Sequence, residues 1–148
     1  MAGFYMDDFT VGQVFESKSV TITPDAIKRF AAEFDPQPFH LDEKAAIGTF
    51  FGGLAASGWH TAALTMRLLV DTFPIEGGLI GASHDEFGWP RPTRPGDHLK
   101  ITVEVLELRP SKSRPDRGMG KIRTTTWNQA NEAVQIMVTN VVLPRKQP

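Results

Sequence analysis

Between residues 58 and 73 the chain reads Gly-Trp-His-Thr-Ala-Ala-Leu-Thr-Met-Arg-Leu-Leu-Val-Asp-Thr-Phe. Apolar side chains fall on almost every face of the helix that this stretch predicts. Only Thr61, Thr65 and Arg67 leave a narrow polar stripe. A helix that is apolar nearly all round belongs inside a domain, so this segment is expected to organise the fold. Ser57-Gly58 marks its first turn and Pro74 stops it. A shorter helix is predicted to start at Thr23-Pro24-Asp25: threonine caps, proline suits the first helical position, and the aspartate sits at the positive end of the dipole. Ile27, Phe30, Ala31 and Phe34 then share one apolar face. The prolines of Asp35-Pro36-Gln37-Pro38 end that helix in a rigid, extended turn, and a further short helix is predicted over residues 41–46. Residues 48–53 read as a loop.

Elsewhere the pattern has the period of a strand. Leu99, Ile101, Val103 and Val105 alternate with Lys100, Thr102 and Glu104; the phase then slips at Leu106 and Leu108, which predicts a bulge. Residues 121–127 and 133–143 form two more strands joined by a turn at 128–132. Residues 15–22 read as a modest strand and 81–89 as a weaker one, closed by Pro90, Pro92 and the turn Pro95-Gly96-Asp97. A basic stretch over 109–118 reads as a loop. Short connections favour antiparallel pairing. The expected fold is therefore α+β: one domain over residues 1–148, with an antiparallel sheet wrapping the long helix.

Composition narrows the function classes. A chain of 148 residues with 41% apolar and 22% charged residues is an ordinary globular sequence. A net charge of −1 gives no reason to expect nucleic acid or an anionic membrane as a partner. The absence of cysteine excludes disulfides, thiolate metal sites and a cysteine nucleophile. The acidic N-terminal residues do not form a secretory leader and no apolar run reaches spanning length, so a cytoplasmic protein is expected.

The chemistry-bearing segment is Asp35-Pro36-Gln37-Pro38-Phe39-His40. An aspartate and a histidine five positions apart, across a proline-stiffened turn, converge on one small volume and offer a base and an acid to one water. Imidazole is the side chain whose ordinary titration lies nearest neutrality. The other histidines draw blander readings: His60 in packing or solvent, with the pocket as the alternative, and His84 and His98 at the surface. His84-Asp85-Glu86 looks like a metal cluster, but alternation along a strand turns neighbours to opposite faces, so no metal is expected there. The basic residues Arg109, Lys112, Arg114, Arg117, Lys121 and Arg123 read as a solvated hairpin tip, with a landing site for ligand phosphates as the alternative.

Taken together, Asp35, Gln37, Pro38, His40 and the later Gly58 resemble the MaoC-like hydratases, a family that includes the (R)-specific enoyl-CoA hydratases. Those proteins carry Asp-x-Asn-Pro-x-His after a short helix and a glycine at the start of the long one. The resemblance extends to Phe9-Thr10-Val11-Gly12 and Arg94-Pro95-Gly96-Asp97, and departs at Gln37, where the hydratases usually have asparagine. It implies a hot-dog fold and interconversion of a trans-2-enoyl thioester with a 3-hydroxyacyl thioester, coenzyme A being the expected carrier. It also implies at least a homodimer, because the family builds its pocket across two subunits. Asp35 and His40 would be catalytic, contacting the water that adds at C3 and managing the proton that reaches C2. Gly58, Ser57 and Gln37 would bind substrate, with the Gly58 N–H at a helix N-terminus facing the enolate-like carbonyl. No metal or organic cofactor is implied. Phe50, Phe51 and Trp59 are either core or acyl-pocket lining. Hot-dog domains also serve as thioesterases or non-catalytic acyl-binding modules, and fold alone does not decide between them. Such thioesterases typically place a carboxylate on the central helix; here that helix offers only Asp71, at its far end.

Overall fold

The computed structural model describes residues 3–147. Six strands form one antiparallel sheet: β1 (Val14–Glu16), β2 (Val20–Thr21), β3 (Ile80–Gly88), β4 (His98–Pro110), β5 (Arg117–Trp127) and β6 (Ala133–Pro144). Their spatial order is β1-β4-β5-β6-β3, with β2 also pairing β4. Among the described residues four α-helices accompany them, α1 (Pro24–Phe34), α2 (Pro38–Leu41), α3 (Glu43–Ile47) and α4 (Gly58–Thr72), with a 3-10 turn at Met6–Asp8. The expected α+β architecture is observed.

Local sequence explains most of the boundaries. Thr23 caps α1 by accepting from the Ala26 N–H at 3.1 Å, with Pro24 in the first turn. The ladder between β4 and β5 shifts register between Val105 and Glu107, at the position where the alternation slips. Residues 15–22 divide into β1 and β2 instead of forming one strand. The cause is Ser17: its backbone N–H bonds to Ile101 O, but its hydroxyl, and not its carbonyl, receives the Ile101 N–H at 2.9 Å, which interrupts the ladder. The turn after Asp35 is likewise shorter than expected. Pro38 opens α2 instead of continuing an extended segment, and Asp42 caps α3 through the Ala45 N–H at 2.8 Å. β5 begins at Arg117, inside the stretch that reads as loop.

The main core lies between the sheet and the lower part of α4, where Leu68, Leu69 and Phe73 meet Ile101, Val103, Val105, Ile122, Val141 and Leu143. The upper part of α4 is not buried all round as its apolar surface predicts. Its polar stripe is the buried one: Thr61 donates to Thr93 Oγ1 at 3.0 Å, and Thr65 pairs with Thr126 Oγ1 at 2.6 Å. Hydroxyls that satisfy each other can be buried at little cost. The apolar residues Trp59, Met66 and Val70 point outward and are 61%, 42% and 47% exposed. Beside them β3 closes the sheet with an unpaired outer edge, exposed from Ile80 to Glu86.

Candidate active site

α1 delivers Asp35. The residue follows the last turn of the helix, its own N–H still bonded to Ala31 O at 2.8 Å. Two bonds then fold the chain back on itself around Pro36: Gln37 N–H to Asp35 O at 2.8 Å and His40 N–H to Gln37 O at 2.9 Å. This places His40, buried in α2, against Asp35, with Nε2 3.3 Å from Oδ2. The other ring nitrogen, Nδ1, lies 2.6 Å from Ala55 O. A carbonyl only accepts, so Nδ1 carries a hydrogen and Nε2 is the nitrogen free to gain or lose a proton toward the carboxylate.

Two more groups hold the carboxylate. The Ser57 hydroxyl donates to Oδ2 at 2.7 Å and the Gln37 amide donates to Oδ1. Burial pushes the Asp35 pKa up, but the hydrogen bonds from Ser57 and Gln37 and the charge of His40 outweigh it and hold the group below the usual carboxylate value. Ser57 also caps α4, accepting the Trp59 N–H at 3.3 Å. The hydroxyl of Ser57 and the amide of Gln37 are thus both directed at Asp35. Gly58 opens α4, and among the described residues its N–H has no protein acceptor. The space that a Cβ would take at Gly58 is filled by the Trp89 ring, whose carbons would lie 2.7 to 2.9 Å from it.

Asp35, His40 and Gly58 open together into a cavity of about 540 Å³, a size suited to a small organic ligand. Phe50, Phe51, Trp59, Trp89, Pro90 and Pro92 form its walls. Phe50 is 98% exposed, so it and Trp59 line the opening and are not core. Sequence reasoning gave no pocket role to three residues that shape this space. Trp89 is held in place by donating its indole N–H to the buried Gln135 at 2.8 Å. Arg94 pins the phenylalanine loop by donating to the carbonyls of Phe51, Gly53 and Leu54 at 2.5, 3.1 and 3.3 Å. An aromatic side chain set among prolines at 89–92 was the available signal for the first; nothing local marks Gln135.

The other histidines and the basic run stand apart from the cavity, which Thr61, Arg91 and Thr93 also line. His60 is buried and stacks on Phe30 at 4.7 Å; burial, with Arg29 nearby, lowers its pKa. His84 bonds Thr139 and His98 bonds Thr21, both near the surface. Half of the basic run is paired: Lys121 with Asp85 and Glu107, Arg123 with Glu104, and Arg117 with Asp116. Asp85, from the segment that looks like a metal cluster, is therefore engaged by Lys121 and Asn140. Among the described residues no helix is long and apolar enough to cross a membrane.

Comparison with known proteins places this geometry. Residues 8–128 match the family described as the MaoC-like domain. The crystal structure of a MaoC-like dehydratase from Rhodospirillum rubrum superposes with a TM-score of 0.95 at 52% identity, covering 99% of this chain and 100% of that one. The uncharacterised protein YdeM of Bacillus subtilis is 37% identical over 125 residues, which are 84% of this chain and 87% of that protein. The 3-hydroxybutyryl-CoA dehydratase of Methylorubrum extorquens is 32% identical over 110 residues, 74% of this chain and 69% of that enzyme.

Proposed function

Because the chain belongs to the MaoC-like domain family and has the hot-dog fold, we propose that it is a hydro-lyase interconverting a trans-2-enoyl thioester and a 3-hydroxyacyl thioester, with coenzyme A as the thiol carrier. The observation that carries this reading is the meeting of Asp35 Oδ2 and His40 Nε2 at 3.3 Å, in a cavity that also receives the first residue of α4. The named activity of the Methylorubrum relative supports it.

In the hydration direction a water is held by Asp35 Oδ2 and His40 Nε2. Its oxygen bonds to C3 of the enoyl group as the Asp35–His40 pair takes its proton. The π electrons of the C2–C3 bond move toward the thioester carbonyl, and the Gly58 N–H, at the positive end of α4, stabilises that developing charge. The proton returns to C2 and the carbonyl re-forms. Dehydration runs the same steps backwards. Every proton and electron pair is accounted for by water, substrate and the two side chains, so the reaction as written uses no metal or organic cofactor. A second copy of the chain is the proposed partner, covering the free edge of β3 and the Trp59, Met66 and Val70 stripe of α4.

The test is a panel of trans-2-enoyl-CoA substrates of differing length and branching, given to the purified protein. Hydration appears as loss of the conjugated enoyl-thioester absorbance. Release of free thiol together with that loss would mark hydrolysis and make the protein a thioesterase. Binding of thioester with neither change would make it an acyl-binding module.

A further inference from the structure

Gln37 stands at the position that caps α2, with extended backbone at φ −114° and ψ 148°, yet its side chain makes no cap bond. The residues at the same position of the other three α-helices all do: Thr23 to Ala26 N–H, Asp42 to Ala45 N–H and Ser57 to Trp59 N–H. Serine, threonine, aspartate and asparagine lead at such positions because their oxygen sits one carbon beyond Cα and reaches the first free N–H groups. Glutamine carries the same amide one methylene further out. Here that amide turns away from α2, crosses Pro36 and donates to Asp35 Oδ1.

The donors on Asp35 are thereby divided. Oδ1 belongs to Gln37, while Oδ2 receives Ser57 and faces His40. The terminal torsion of a carboxylate is broad and roughly two-fold, so a carboxylate held by one oxygen alone can swing. A second donor on the opposite oxygen fixes the plane and keeps Oδ2 aimed at the histidine. We propose that Gln37 is a positioning residue that orients the Asp35 carboxylate, and that α2 goes without a side-chain cap as the consequence. The proposal rests on the hydratase reading for its effect on turnover, but the contact itself does not.

The groups facing Asp35 are few. α2 brings His40, the one titratable partner whose charge bears on it, and α4 brings the Ser57 hydroxyl. Loss of the amide removes a donor that favours the charged carboxylate, so the titration of Asp35 moves toward higher pH. Three forms separate this role from a structural one: the parent, Gln37→Ala and Gln37→Asn. The titration of Asp35 is followed without substrate by carbon-13 NMR of its carboxyl, and kcat and KM are followed against pH. In Gln37→Ala the Asp35 titration and the acid limb of kcat should both move up in pH. The kcat should fall about tenfold, in keeping with one hydrogen bond to a charged group, with KM within about twofold. Gln37→Asn should melt at a higher temperature than Gln37→Ala, because asparagine caps α2, yet show the same displaced titration. An Asp35 titration and acid limb both unmoved in Gln37→Ala would overturn the proposal, as would full restoration of the titration by asparagine. If the titration moves but the parent hydrates no substrate, the contact is upheld and only the activity assignment falls.

Discussion

Asp35 touches two donors and a histidine through only two oxygens, so each neighbour has a separable consequence. Asp35→Asn and His40→Ala should each lower hydration by about a hundredfold to ten-thousandfold, the usual worth of one positioned proton-transfer group. Neither residue lies in the main core, so circular dichroism should show an intact fold. Ser57→Ala removes both a donor to Asp35 and the cap of α4, and should cost about 1 kcal/mol in thermal or urea unfolding. It also changes the response to acid. Asp35 has a folded pKa below its unfolded one, so its contribution to stability is present above the unfolded value and is lost as pH falls through the lower folded value. With Ser57 gone the folded pKa rises, that contribution shrinks, and the acid-unfolding midpoint should move to higher pH. Gly58→Ala drives a methyl group into the Trp89 ring, which Gln135 holds from behind. A destabilisation of roughly 1–3 kcal/mol is expected from the overpacking, accompanied by a change in tryptophan emission that marks the displaced ring.

At the scale of the element, α4 is where sequence and structure diverge most. Periodicity tells which positions share a face of a helix but not which face meets the sheet. With apolar residues nearly all round, the narrow threonine stripe was the natural one to leave in water, yet it is buried because Thr93 and Thr126 wait opposite with matching hydroxyls. That match joins residues far apart in the chain, and no local pattern announces it. Thr65→Val should therefore cost about 1–3 kcal/mol by leaving the Thr126 hydroxyl without a partner. The double change Thr65→Val with Thr126→Val should recover much of the loss, which a double-mutant cycle measured by urea unfolding would reveal. What was legible is what is local: the Thr23-Pro24 start, the bulge after Val105, and the Asp35 and His40 spacing across the proline turn. The cavity walls and the residues that support them were only half legible. Phe50, Phe51 and Trp59 stand out near the motif, whereas Trp89, Arg94 and Gln135 arrive from other strands and turns and acquire a role only once the sheet is assembled.

For the molecule as a whole, the free edge of β3 and the exposed stripe on α4 lie on neighbouring elements. A long exposed edge strand is a template for pairing, and proteins ordinarily cover it. Light scattering should find a dimer or larger assembly, and Met66→Glu combined with Val70→Glu should dissociate it. Both positions are exposed in the single chain, so the folded protomer should tolerate the charges. A stable wild-type monomer with full activity would remove the second copy from the proposed function.

The threonine seam beneath α4 also shapes how the protein should respond to temperature. Unfolding a chain of 148 residues ordinarily raises the heat capacity by about 1.8–2.2 kcal/mol/K, because newly exposed apolar surface raises it more than exposed polar surface lowers it. Here part of what unfolding exposes around the long helix is hydroxyl and amide: Thr61, Thr65, Thr93, Thr126 and Gln135. Calorimetry should therefore return a value at or below the bottom of that range. The stability curve would be correspondingly flat, losing little on cooling, so that the fold would persist toward the freezing point of water.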